Sequence, residues 1–204
     1  MKRGLFITFE GADGCGKTTQ IKLFTEYLQK NGYEVILTRE PGSKGLGENI
    51  RKILLDYDGE VSPVCESFLF LADRAQNVDI IVKKNIEKGK IVISDRHIDS
   101  TVAYQGYGRK LDLEQIKELN NIATSGLKPD LTFVFDIDIE TSMQRVGKTK
   151  DRMEASGKEF FERVQNGYLE IAKNEPNRVK VINANDTVEN INKQVISLFE
   201  DLIN

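Results

Sequence analysis

The sequence predicts an α/β fold in three layers, a five-stranded parallel sheet with helices on both faces. Short apolar runs alternate with helical patterns along the whole chain, and several runs are apolar on nearly every residue. Continuous apolar runs are typical of strands buried on both faces. Strand–helix alternation favours layered folds with right-handed crossovers. We interpret residues 1–204 as one domain, because no linker or repeat divides them.

The predicted strands begin near the N-terminus and recur to the last quarter of the chain. The runs 91–93 and 133–135 are apolar throughout, which favours central positions in the sheet. The five strands are Leu5–Phe9, Glu34–Thr38, Lys90–Ser94, Leu131–Asp136 and Val179–Asn183.

Apolar residues recur at helical spacing between these strands. Ile21, Phe24 and Leu28 share one face of a first helix, which ends at Asn31–Gly32. Ser62–Pro63 predicts a helix start with serine as N-cap and proline in the first turn. Further helices are indicated by a capping box at Asp112–Gln115, a stripe over Phe161–Ile171 and a last pattern over Val188–Leu202.

Composition excludes several classes of protein. The 29 basic and 32 acidic residues give a net charge of −3, whereas a nucleic-acid scaffold usually has a strong basic excess. No apolar run approaches the roughly 20 residues of a membrane helix, and the first run is too short for a signal peptide. Cys15 and Cys65 lack metal-binding spacing. We therefore expect reduced thiols, a cytoplasmic location, and neither nucleic-acid nor membrane partners.

The strongest motif is a phosphate loop. Residues 11–18 fit G-x-x-x-x-G-K-[ST] between a predicted strand and a predicted helix. Glycines let several backbone N–H groups face one anion, Lys17 reaches the outer phosphates, and the Thr18 hydroxyl ligates Mg²⁺. An ordinary glycine-rich turn is the weaker interpretation. The nucleotide-binding residues are Gly11, Ala12, Asp13, Gly14, Cys15, Gly16, Lys17, Thr18 and Thr19.

Asp95 follows the third predicted strand, where a carboxylate can hold a Mg²⁺-bound water beside the phosphate loop. Asp also commonly caps a helix after a strand, so this residue alone is weak evidence. The Asn-Lys-x-Asp loop that reads guanine in GTPases is missing from the sequence. A regulatory NTPase is therefore the weaker class, although it stays open, as does another small-molecule kinase on this fold.

Six blocks in order along the chain resemble the thymidylate kinase family. They are residues 9–20, 38–42, 68–74, 94–106, 128–132 and 151–154. The resemblance implies a P-loop kinase fold with strand order 2-3-1-4-5, transfer of the ATP γ-phosphate to dTMP to form dTDP, and Mg²⁺. It also implies a homodimer formed through helices on one side of the sheet, and a short mobile lid at about 145–157.

The resemblance also assigns the residues that read the base. Phe70 and Arg74 lie four apart on a predicted helix and share a face, so the ring can stack on thymine while the guanidinium donates to O4. Without the resemblance, a core Phe70 and a surface ion pair of Arg74 would be preferred. Thr101 and Gln105 match positions that bond the base, and Tyr104 matches a residue that packs near C2′ of the sugar.

Phosphate binding at the acceptor end is assigned in the same way. Arg96 matches a clamp on the dTMP phosphate or the transferring group, and Arg51 matches a second ligand, with a solvated Arg51 as the alternative. Glu40 matches a residue beside the acceptor, and we expect a cis bond to Pro41. An anion at Asp13 is unexpected beside ATP unless it addresses Mg²⁺ or orients Arg96, so we expect a supporting catalytic role.

The phosphate loop carries no arginine at its variable positions, so the resemblance places the catalytic cation in the lid. Arg152 is the candidate, with Lys148 or Lys150 assisting, and a solvated basic loop is the alternative. Catalysis then rests on Asp13, Lys17, Arg96 and Arg152. Phe68 and the single histidine, His97, are expected to pack in the core.

Overall fold

The computed structural model describes residues 3–145, 152–153 and 156–204. Five parallel strands form one sheet in the order β2-β3-β1-β4-β5. This confirms the predicted order and all five predicted strands to within two residues. The strands are β1 (Phe6–Gly11), β2 (Val35–Arg39), β3 (Ile91–Asp95), β4 (Leu131–Asp136) and β5 (Val179–Asn183).

The helices surround this sheet. They are α1 (Lys17–Lys30), α2 (Leu46–Asp56), α3 (Pro63–Asn77), α4 (Lys83–Ile86), α5 (Ile98–Thr101), α6 (Leu113–Thr124), α7 (Ile139–Arg145), α8 (Lys158–Asn174) and α9 (Val188–Ile203). Two π-helical segments, Val78–Val82 and Val102–Gly108, follow α3 and α5. Both predicted caps are present: the Ser62 hydroxyl accepts from the Cys65 N–H, and the Asp112 carboxylate accepts from the Gln115 N–H.

Two apolar layers hold the helices to the sheet. On one face, Phe24 of α1 and Phe199 of α9 pack with Phe9 and Phe133 of the sheet. On the other face, the apolar residues of α8 pack around Tyr104 of the second π-helical segment. Within the described ranges, no helix has the length and apolar character needed to cross a membrane.

The strand register brings three strand ends to one edge of the sheet. Phe9 of β1 and Arg39 of β2 both lie beside Asp95 of β3. The loops that follow these three strands therefore open together at the carboxyl edge, where open α/β sheets bind their ligands. This edge carries the phosphate loop, the segment after β2, and Arg96.

One residue expected in the core is exposed. Phe68 is 54% exposed, so it does not pack inside as predicted. The reason is that α3 buries a polar face, including Glu66, Asp73 and Arg74, and turns Phe68 to the outside. Apolar spacing alone indicates which residues share a face, but not which face the fold covers.

Candidate active site

A cavity of about 470 Å³ opens at the carboxyl edge of the sheet. Its walls come from the phosphate loop, the segment after β2, and helices α2, α3 and α5 with the second π-helical segment. Fourteen of the predicted site residues line it: Asp13, Gly14, Gly16, Lys17, Thr18, Glu40, Arg51, Phe70, Arg74, Asp95, Arg96, Thr101, Tyr104 and Gln105. The fold therefore brings phosphate-binding and base-reading candidates into one space.

The phosphate loop owes its curl to glycines that no other residue could replace without strain. Gly11 has φ +131°, and a Cβ there would lie 2.6 Å from the carbonyl oxygen of Phe135. Gly14 has φ +76°, and a Cβ there would lie 2.7 Å from the carbonyl oxygen of Ser142. The Ser142 hydroxyl donates to the carbonyl of Asp13 at 2.6 Å, which fastens the loop to α7.

The start of α1 has the features of an anion site. Gly16 occupies the N-cap without a side-chain bond to the first N–H groups, so those donors can serve a phosphate. The Lys17 ammonium donates to the carbonyls of Gly11 and Ala12 at 3.0 and 2.9 Å. Cys15 is 1% exposed and packs into the apolar core beneath the loop. Thr19 is exposed at the first turn of α1.

Arg96 lines the cavity and has a left-handed backbone conformation, with φ 71°. Its Nη2 donates to Asp13 Oδ1 at 2.8 Å and its Nη1 to the Gly11 carbonyl at 2.8 Å. Burial opposes ionisation of Asp13, but the positive charges of Arg96 and Lys17 lower its pKa below the ordinary value. Of the two roles considered for Asp13, the geometry supports orientation of Arg96.

Asp95 and Thr18 offer oxygen atoms suited to a magnesium ion. Asp95 Oδ1 is buried, and among the described residues it has no hydrogen-bond partner. The Thr18 side chain lines the same cavity from the first turn of α1. Mg²⁺ prefers oxygen ligands, and in nucleotide sites it is held by one or two protein groups together with phosphates. The two side chains therefore fit the predicted ion.

Arg74 also lines the cavity and is 1% exposed, so it forms no surface ion pair. Its Nε donates to Glu40 Oε2 at 2.8 Å, and its Nη1 donates to Thr101 Oγ1 and Asn120 Oδ1, both at 2.6 Å. Its Nη2 donates to the His97 carbonyl at 2.8 Å. A guanidinium has five N–H donors, so one Nη2 hydrogen is left without a described partner.

Glu40 and Arg51 also line the cavity. The Glu40–Pro41 bond is cis, as predicted. Glu40 is buried, and although burial opposes its charge, His97 and Arg74 hold its pKa at about 2. Arg51 Nη1 donates to the Pro41 carbonyl at 2.8 Å, so this half-buried side chain contacts the cavity wall.

Arg152 is placed differently from the other catalytic candidates. Its Nη1 donates to Glu66 Oε2 at 2.6 Å and its Nε to the Leu54 carbonyl at 3.0 Å, and it is not among the described residues that line the cavity. Glu66 also accepts from Gln105 and Arg109. The assisting candidates, Lys148 and Lys150, lie outside the described residues, as does most of the predicted lid.

A buried polar group behind Arg96 was missed by the sequence analysis. Glu10 is fully buried and accepts from the His97 N–H, the Ser100 hydroxyl and the Tyr168 hydroxyl. Burial, together with the negative charge of Asp99, raises the pKa of Glu10 to about 7. Its place before the phosphate-loop glycine, at the end of an apolar strand, was a signal that it is buried.

For three other polar residues of the site, the sequence contains no indication that they are buried. Glu66, Asn77 and Asn120 are buried, yet each occupies an amphipathic helix where a polar residue usually faces solvent. His97 packs edge-on against Phe6 at 4.8 Å, which confirms the predicted packing role, but it also contacts Glu40 through Nδ1 at 3.0 Å.

Comparisons with known proteins agree with this site. The family model described as thymidylate kinase matches residues 9–195. A thymidylate kinase of Caldanaerobacter subterraneus subsp. tengcongensis is 45% identical over 98% of this chain and 97% of its own length. One from Maridesulfovibrio salexigens is 46% identical over 94% and 93%. The crystal structure of thymidylate kinase from Ehrlichia chaffeensis, 38% identical, covers 97% of this chain and 99% of its own, with a TM-score of 0.81.

Proposed function

The chain belongs to the thymidylate kinase family and catalyses the phosphorylation of dTMP to dTDP, and we propose that it does so with ATP and Mg²⁺ in the cavity described above. The observation that carries this proposal is that one cavity holds the phosphate loop, Arg96 and the pair Phe70 and Arg74. A regulatory NTPase would need no acceptor site, and the comparisons do not favour that alternative.

The phosphates meet near Arg96. An oxygen of the dTMP phosphate attacks the γ-phosphorus of ATP, the bond from that phosphorus to the bridging oxygen breaks, and ADP leaves. The attacking oxygen is already anionic, so no general base is required. Catalysis therefore depends on positioning the two phosphates and on stabilising the negative charge of the transition state. Lys17 and the N–H groups of the loop bind the ATP phosphates, while Arg96, aimed by Asp13, and Arg51 bind the acceptor phosphate and the transferring group.

The thymine base lies beside Arg74. Phe70 is half-buried in the wall and offers a ring face to thymine, and the remaining Nη2 hydrogen of Arg74 donates to O4. Thr101 and Gln105 lie on the same wall as hydrogen-bonding groups for the base. Tyr104 packs beside the sugar near C2′ and disfavours a ribonucleotide.

Thr18 would hold the magnesium ion through its hydroxyl, and Asp95 would hold a water bound to that ion through its buried Oδ1, which has no partner among the described residues. When bound, the ion neutralises negative charge on the ATP phosphates. Asp95→Asn keeps the shape of the side chain and removes its charge. We expect this variant to need several-fold more Mg²⁺ for half-maximal rate; an unchanged requirement would exclude the assignment.

We further propose that the whole chain acts as one kinase domain with a lid at about 145–157, and that it works in the cytoplasm. Both cysteines are free, which agrees with a reducing compartment. Its partners are the nucleotides ATP and dTMP; the net charge of −3 does not favour nucleic acid.

A homodimer is also proposed, through the outer faces of α2 and α3. Val64 and Phe68 share a face of α3 and are 53% and 54% exposed, and α2, which packs against α3, exposes Ile53. Exposed apolar patches mark protein interfaces. Phe68→Ser should yield a monomer in size-exclusion chromatography with light scattering, while Val188→Ser, at an exposed valine of α9, should not change the mass. A monomeric parent protein would refute the dimer.

The experiment that tests the activity measures ADP formation from Mg·ATP with each monophosphate in turn. The acceptors are dTMP, dUMP, AMP, CMP, GMP and UMP, with a control that has no acceptor. A strong preference for dTMP over UMP supports the base and sugar assignments together. Activity on another acceptor would remove Phe70, Arg74 and Tyr104 as thymidylate readers, and ADP release without acceptor would favour the regulatory class.

A further inference from the structure

We propose that His97 is a positioning residue for thymine recognition, because its ring fixes Glu40 and Glu40 in turn fixes the guanidinium plane of Arg74. This inference rests on the proposed function, in which the last free N–H of Arg74 donates to thymine O4. His97 itself does not contact the base. It acts through two hydrogen bonds in series, and it also contacts Arg74 directly through its backbone carbonyl.

The direction of the free Arg74 hydrogen is set by the other four. A guanidinium is planar, so bonds at Nε, Nη1 and Nη2 fix the plane and its rotation together. The Nε bond to Glu40 Oε2, at 2.8 Å, is the one that joins two opposite charges, both 1% exposed. Charge-assisted bonds in buried places are the strongest of their kind, so the position of Glu40 dominates the aim of Arg74.

Glu40 is held in turn at its other oxygen. Oε1 accepts from Asn77 Nδ2 at 2.8 Å and contacts His97 Nδ1 at 3.0 Å. Asn77 comes from α3, the helix that carries Arg74, and its Oδ1 accepts from Thr38 of β2. His97 is the support from the segment between β3 and α5. Without the hydrogen-bond donor of His97, the Glu40 carboxylate would be held, among the described residues, only by residues of α3 and could turn toward that helix.

The state of the His97 ring follows from its partners. The ionised Glu40 carboxylate can only accept, so Nδ1 carries the hydrogen. Nε2 is buried and has no hydrogen-bond partner among the described residues. Burying an unpaired polar nitrogen is unfavourable, and a phenylalanine could make the edge contact to Phe6 without that cost. The feature that only the histidine provides is the hydrogen bond to Glu40.

Three substitutions separate that hydrogen bond from packing. His97→Asn places an amide nitrogen where Nδ1 lies, His97→Gln places it near Nε2, and His97→Phe fills the space without a donor. We expect His97→Phe and His97→Gln to raise the KM for dTMP about tenfold, the effect of one hydrogen bond to a charged group. The KM for ATP and kcat should stay within about twofold, and His97→Asn should restore most of the dTMP affinity.

A double-mutant cycle tests whether the effect passes through Glu40. In a Glu40→Gln background, His97→Phe should add little to the dTMP KM, since coupled residues are non-additive. Equal effects of Asn and Gln at position 97, or a parallel rise in the ATP KM, would overturn the proposal in favour of packing. The Asn and Gln variants decide the matter even if the Phe variant does not fold. A parent protein inactive on dTMP would instead refute the proposed function.

Discussion

Glu10 makes the stability of this protein depend on pH in an unusual direction. The carboxyl group is fully buried behind Arg96, and its pKa is raised from 4.5 to about 7 by burial and by the nearby negative charge of Asp99. Hydrogen bonds from Ser100 and the His97 backbone, and the positive charge of Arg96, oppose the rise without cancelling it. The folded protein therefore holds a proton that the unfolded chain releases near pH 4.5.

The sign and size of the effect follow from this difference. Between about pH 4.5 and about pH 7 the folded state binds more protons than the unfolded state, so the free energy of unfolding falls as the pH rises. Each pKa unit corresponds to about 1.4 kcal/mol. Between about pH 5 and about pH 8, this one group should remove roughly 2 to 3 kcal/mol of stability.

Glu10→Gln isolates this contribution. Glutamine is neutral at every pH, keeps an acceptor for the His97 N–H and can donate to the hydroxyls of Ser100 or Tyr168. Urea unfolding of both proteins from about pH 5 to about pH 8 gives the difference in their free energies of unfolding, in which shared groups cancel. We expect the parent to lose roughly 2 to 3 kcal/mol relative to the variant over this range.

The matched control is Glu118→Gln, which removes a negative charge from the exposed surface of α6. Parallel pH curves for the parent and Glu10→Gln would refute the reasoning, because Glu10 would then release its proton at a similar pH in both states. If the parent instead became more stable than Glu10→Gln as the pH rises, folding would lower the pKa of Glu10. Burial would then not be the dominant effect on this group.

Two further substitutions test other parts of the structure. Arg152→Ala should lower kcat far more than it raises the dTMP KM. The control is Arg109→Ala, which also breaks an ion pair with Glu66 but should largely spare kcat. If both variants lose kcat equally, the role of Arg152 is structural alone. Gly47→Ala should lower the melting temperature, although alanine favours helices, because its Cβ would overlap the buried carboxylate of Asp73. An unchanged or higher melting temperature would contradict this.

Features that depend on neighbours along the chain could be predicted from the sequence alone. The apolar runs predicted all five strands, because a strand buried on both faces must be apolar on successive residues. The caps at Ser62 and Asp112 were predictable since a cap bonds N–H groups two or three residues away. The phosphate loop was predictable for the same reason: its glycines and Lys17 act within eight residues. The strand order came from the family resemblance.

Which face of each helix is covered could not be predicted from the residues of that helix. Phe68 was expected in the core, but α3 packs its polar face inward, where Arg74 finds four partner residues outside α3. Arg152 forms an ion pair with Glu66 that no local sequence pattern predicts. Burying a charge is favourable only when distant residues complete its hydrogen bonds. Those distant residues meet only after the chain has folded, and a single sequence does not display them.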